Sequence, residues 1–162
     1  MRSREENPVR RSAWIGAAVA VAVVVGTVLG VHGLASAQQQ NRATTFSGQV
    51  GLIQNTIKGS ATADFEMVMQ KVKEALRDSQ NPVRQRQGRS WRTFKSSAPG
   101  PQGVVFYFHV IDPPVPDGDY TISTILAEGF PAEAQQLYDT FSNAFQGGVV
   151  PIDLQLVNDF SR

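Results

Sequence analysis

The sequence predicts an α+β fold with elements in the order β-α-β-β-α-β, and three observations carry the prediction. A strand-like run is followed by a long amphipathic helical stripe. A very apolar extended run stands at residues 104–111. A second helical region then leads into a last alternating segment. That order is the split-βαβ, ferredoxin-like arrangement, with four antiparallel strands in one sheet and two helices on one of its faces.

Ahead of the fold, residues 1–37 have the layout of a secretory signal peptide. A charged "MRSREENPVRR" precedes an uncharged stretch from Ala13 to Val31, and Ala35-Ser36-Ala37 offers small residues at the cleavage positions. The 13–31 stretch is also long enough to span a bilayer. Export to the periplasm or beyond is therefore expected, with an inner-membrane anchor as the alternative if the segment is uncleaved. Arg10-Arg11 weakly resembles a twin-arginine signal, although the residues after it fit poorly. Residues 38–47 read as a flexible lead-in, and 48–162 as the single ferredoxin-like domain.

Each element has its own signal. In "VGLIQNTIK", Val50 to Lys58, Ile53 and Ile57 share one face of a strand, and Val50 and Leu52 the other. In "GSATADFEMVMQKVKEALRDS", Phe65, Val68, Met69, Val72 and Leu76 form one apolar stripe, with Thr62 as the expected N-cap. Asn81-Pro82 ends that helix, because the residue before proline is steered out of the helical region. "RQRQGRSWRTFKSS" reads as a basic connection that becomes a strand near Ser90, and "APGPQG" as a turn. "VVFYFHVI" is the strongest strand, and the prolines of "DPPVPDGDY" close it. "ISTILAE" is a short helical piece. "PAEAQQLYDTFSNAF" is a longer one, with Pro131 in its first turn and Gly147-Gly148 at its end. "PIDLQLVNDF" supplies the last strand.

Composition narrows the chemistry. With no cysteine, thiolate metal sites, redox pairs and cysteine nucleophiles are excluded. From residue 38 to 95 there are ten Lys/Arg against four Asp/Glu, and from 96 to 162 one against eight. The two halves nearly cancel, which fits interleaving in one fold and argues against nucleic acid as a partner.

The strand at 104–111 is apolar on both faces: Val104, Phe106, Phe108 and Val110 on one, Val105, Tyr107, His109 and Ile111 on the other. Helices cover only one face of such a sheet. A second copy of the sheet, related by a two-fold axis, is the economical cover for the other, and a homodimer is expected.

The layout, and the opening "LIQNTIKGSATADFEMVMQKVKEAL" in particular, resembles the dimeric α/β-barrel superfamily, which includes cofactor-independent monooxygenases of the antibiotic-biosynthesis type. The stretches "ADFE.VM.KVKEAL", "VIDP" and "DYT.S.ILAE.FP" followed by "LY" are closer still to a group of uncharacterised exported bacterial proteins. The resemblance implies the fold. It also implies, as one possible activity, oxidation of an electron-rich aromatic or quinone-like molecule without a cofactor.

His109 is the sole histidine outside the N-terminal segment and has the chemistry of a general base or ligand. Asp112, three residues along the strand, faces away from it, so no metal site is expected there. If the all-apolar face packs on the helices, His109 and Tyr107 look into the space between two sheets. Trp91 or Phe94 on the neighbouring strand, and Asn55 or Gln54 on the first, could join them around an apolar small molecule. The competing reading is a histidine hydrogen-bonded within an interface. Arg84, Arg86, Arg89, Arg92 and Lys95 suggest an anion patch or an ordinary exposed loop. Asp112, Asp117 and Asp119 suggest calcium or, since the EF-hand spacing is absent, a plain turn. There is no phosphate loop, no G-x-S-x-G and no H-E-x-x-H, and no cofactor or metal is called for.

Two functional classes follow. One is a dimeric binding or structural module of the cell envelope. The other is a cofactor-free enzyme with His109, Tyr107, Trp91 and Asn55 at its site. An interior with room for a ring beside His109 favours the enzyme, and a closed one favours the module.

Overall fold

The stripe of Phe65, Val68, Val72, Ala75 and Leu76 organises the fold, because one helix face that apolar must lie on a sheet. A computed structural model describes residues 43–161 of the chain. The segment read as a signal peptide and the first part of the expected lead-in lie outside the described residues. The elements are β1 (Val50–Ile57), α1 (Thr62–Asp78), α2 (Pro82–Ser90), β2 (Trp91–Lys95), β3 (Val105–Ile111), α3 (Ile122–Gly129), α4 (Ala134–Asn143) and β4 (Phe145–Leu154). The sheet order is β2-β3-β1-β4, with every neighbouring pair antiparallel. This is the expected α+β, ferredoxin-like sheet, and each of its two helical positions is filled by a pair of helices.

The core lies between the sheet and these helices. Ile57 and Tyr107 from the sheet meet Phe65, Val68 and Val72 from α1, Ile125 and Leu126 from α3, and Leu137 and Phe141 from α4. A smaller cluster joins Phe46, Ile53, Ile111 and Tyr120. Phe46 belongs to the stretch read as a flexible lead-in, yet it is buried, with its ring against the backbone of Gly51. Thr44 is held as well: its carbonyl accepts from Tyr120 N at 2.7 Å. Among the described residues no helix is long and apolar enough to cross a membrane.

Several boundaries depart from the sequence reading. The connection before Trp91 is a helix, α2. Asn81 does end α1, but its side chain also caps α2, accepting from Val83 N at 2.9 Å, with Pro82 at the first helical position. Thr62 is not an N-cap; α1 starts at Thr62, after a 3₁₀ turn over Gly59–Ala61, without a side-chain cap. Pro131 sits in the turn before α4. Gly147 and Gly148 do not end that helix; they lie inside β4, which begins at Phe145 directly after it.

The largest correction concerns the two faces of β3. Tyr107, His109 and Ile111 are buried under the helices, while Phe106, Phe108 and Val110 lie on the outer face and are only half-buried. Register extends that outer face across the sheet. Leu52 pairs with Val110 and Ile152, Gln54 with Phe108 and Val150, and Phe94 with Phe108. The polar atoms explain the choice. Tyr107 and His109 both find hydrogen-bond partners on the covered side, so that side carries the polar groups without leaving them wholly unmet.

Candidate functional site

Strand register collects the candidate residues. Asn55 lies opposite Tyr107, and His109 lies between Ile53 on β1 and Thr93 on β2. With Trp91 two residues before Thr93, all four sequence candidates fall on the helix-covered face. Gln54 and Phe94, the other options, fall on the outer face. Phe65 of α1 then stands over the middle of the group. Its ring lies 4.6 Å from Tyr107, 6.1 Å from His109 and 5.8 Å from Phe141, centroid to centroid.

Two cavities open on this face. The smaller, of about 460 Å³, includes His109, Asn55, Ile53, Tyr138, Phe141 and Val149 in its wall. His109 is 1% exposed, and burial pushes its pKa down to about 3, so the ring is neutral. Thr93 Oγ1 meets its Nδ1 at 2.9 Å, while Nε2 is buried without a hydrogen-bond partner. The imidazole packs edge-to-face on Trp91, with centroids 5.2 Å apart. Asn55 is equally buried, and its amide makes only long contacts, 3.4 Å to Tyr107 O and 3.5 Å to Ile53 O.

The larger cavity, of about 760 Å³, lies between β2, the end of β3 and the α1–α2 pair, and takes in Trp91 and Tyr107. Tyr107 Oη donates to Glu66 Oε1 at 2.5 Å, and Lys95 Nζ donates to the same oxygen at 2.8 Å. The Lys95 bond, then the Tyr107 bond, holds the Glu66 carboxyl below its usual range. Burial, then Glu66, raises the Tyr107 phenol. The carboxylate is thus committed to two donors. Trp91 Nε1 is buried with no acceptor. The site expected from sequence is therefore two sites, with His109 and Asn55 in one and Trp91 and Tyr107 in the other.

The basic stretch divides in the same way. Arg84 is a structural residue: it forms a bidentate pair with Glu128, both contacts at 2.7 Å, and also donates to Gln87 and to the Asp119 carbonyl. Arg92 lies 3.6 Å from Asp112, and Lys95 belongs to Glu66. In the acidic loop, Asp119 Oδ1 accepts from Thr44 N and Thr121 N, and Asp117 has a positive φ of 58°. The Thr121 contact is turn chemistry, the Thr44 contact ties the lead-in to the loop, and among the described residues no three metal-ligating side chains converge.

Sequence reasoning missed Glu66, Thr93 and Tyr120. Glu66 falls within a helix read only for its apolar stripe. Thr93 needed the β2–β3 register. Tyr120, whose ring lies 5.6 Å from Trp91 and whose hydroxyl accepts from Val115 N, sits in a loop with no periodicity to read.

The fold defines a ferredoxin-like α+β protein with two cavities between one sheet and its helices. No protein-family model and no curated protein matches the sequence. Among solved structures, the chain is similar to a candidate antibiotic biosynthesis monooxygenase from Caulobacter crescentus CB15, at 13% identity over 75% of this chain and 99% of that one, with a TM-score of 0.36.

Proposed function

We propose that the protein is an exported, dimeric binding module that holds a flat apolar or aromatic molecule in the smaller cavity, with His109 as its polar anchor. The observation that carries this is a neutral, buried imidazole whose Nε2 lacks a partner, in the wall of a chamber that also presents Ile53, Phe141, Phe145 and Val149. A ligand hydroxyl or carbonyl supplies the missing hydrogen bond. Leaving such a group unmet costs about 1–3 kcal/mol, so the ligand recovers a penalty the empty fold carries.

The alternative is a cofactor-free oxygenase, and the room for a ring beside His109 favours it. Basicity points the other way. A general base works best with a pKa near the operating pH, and a histidine at about 3 takes a substrate proton poorly. We give that argument the greater weight, because a cavity of this size serves binding and catalysis alike.

The test uses 2-naphthol as a probe, with calorimetry on the full chain. Saturable binding that weakens tenfold or more in His109→Leu is the expected result. Equal affinity in the two proteins overturns the anchor. Oxygen uptake on 1,4-naphthohydroquinone that requires His109 overturns the binding-only reading in favour of the enzyme.

A further inference from the structure

We infer that the larger cavity is a second, separate ligand site, and that it takes a small free carboxylate with a flat apolar body. The inference does not depend on what fills the smaller cavity. It rests on which groups of the larger one lack partners.

The floor and one wall are apolar: Phe65, Met69, Val72, Leu76 and the Trp91 ring. Of the cations around it, Arg77 is paired with Asp78 at 2.6 Å and Lys95 with Glu66 at 2.8 Å. Lys73 and Arg89 also line the cavity, and neither has an acid within ion-pair distance among the described residues. They stand on different helices, Lys73 on α1 and Arg89 on α2, so two independent elements bring positive charge to one opening. Trp91 Nε1, a group that can only donate, is also unpaired. The uncommitted charges identified in this wall are therefore both cations, and the Gln70 and Gln85 amides beside them are neutral. The acid present, Glu66, already accepts from both Tyr107 and Lys95. A ligand that completes the set must bring acceptors and negative charge at one end. It must also bring apolar surface at the other, to cover the Phe65–Leu76–Trp91 floor. A neutral aromatic leaves the cations unmet, and an inorganic anion leaves the floor bare.

Calorimetry on the full chain compares 2-naphthoate with 2-naphthylmethanol, its neutral analogue. Naphthoate is expected to bind at least tenfold more tightly. Lys73→Gln/Arg89→Gln is expected to remove that preference while leaving the alcohol unaffected. Both side chains are exposed, so the double variant keeps the core intact. Equal affinity for the two compounds, or a naphthoate preference that survives the double substitution, overturns the inference. His109→Leu separates the sites. Naphthoate binding that persists in this variant places it in the larger cavity, and binding that disappears there overturns this inference.

Discussion

A neutral imidazole packed against Phe65 and Trp91 makes protonation of His109 costly, and the cost has a pH signature. The unfolded chain protonates this histidine below about pH 6.5, the native chain only near 3. Between those values the unfolded state holds more protons. Stability that is complete above pH 6.5 is therefore lost as pH falls toward 3, by up to about 1.4 kcal/mol per pH unit. Urea unfolding at pH 7.0 and 4.5 is expected to show this as an excess loss of about 2–3 kcal/mol in the native protein over His109→Gln. Parallel losses in the two proteins would sink the account. His109, Tyr107, Trp91 and Asn55 could be picked out by type and strand position. Which face of β3 they occupy could not, because both faces are apolar and the choice rests on Glu66 and Thr93, which come from other elements.

Among the elements, α1 carries the most weight, and Phe65 is its central residue. The ring is fully buried and packs on Tyr107, His109, Phe141 and Phe145. Phe65→Ala is expected to cost roughly 3–5 kcal/mol in chemical denaturation, since these partners come from three elements that cannot all close on the gap. A cost below about 1 kcal/mol would mean that the helix pair settles onto the sheet without it. The stripe of α1 was plain in the sequence. The helix that follows was not, and the reason is physical. Its buried residues are Arg84 and Gln87, held by Glu128 and the Asp119 carbonyl, so it has no apolar period to detect. Asn81-Pro82 was the available signal, and it serves both the stop and the start. β4 was misplaced for a related reason: a glycine pair suits a helix end, but it also fits the first part of a largely exposed edge strand.

For the whole molecule, the open face of the sheet is the feature to explain. Phe94, Val150, Ile152 and Leu154 are 53, 49, 37 and 38% exposed on a face that also carries Leu52, Phe106, Phe108 and Val110. A contiguous apolar surface of this kind on one side of a sheet marks an interaction site. A two-fold copy of the same face is the cover we propose. Sedimentation equilibrium is expected to give a dimer for the native chain and a monomer for Phe94→Arg/Ile152→Glu, with both cavities still able to bind their probes. A native monomer at micromolar concentration would remove the dimer. The β-α-β-β-α-β order could be read from periodicity because strands and helices repeat locally. The division of the site into two chambers could not, since it depends on where Phe65 stands relative to three strands.

The roof of the larger chamber has one further property. Gly88 of α2 faces Leu76 of α1; a methyl group on Gly88 would come within 3.1 Å of the leucine Cβ. A side chain there crowds the leucine, so the contact must give by a few tenths of an ångström to take even a methyl group. Gly88 lines the chamber next to Arg89, so a change there moves the wall and its cation together. Descendants of this chain could change the size of what they carry by altering one glycine, and would shift part of the charged rim in the same step.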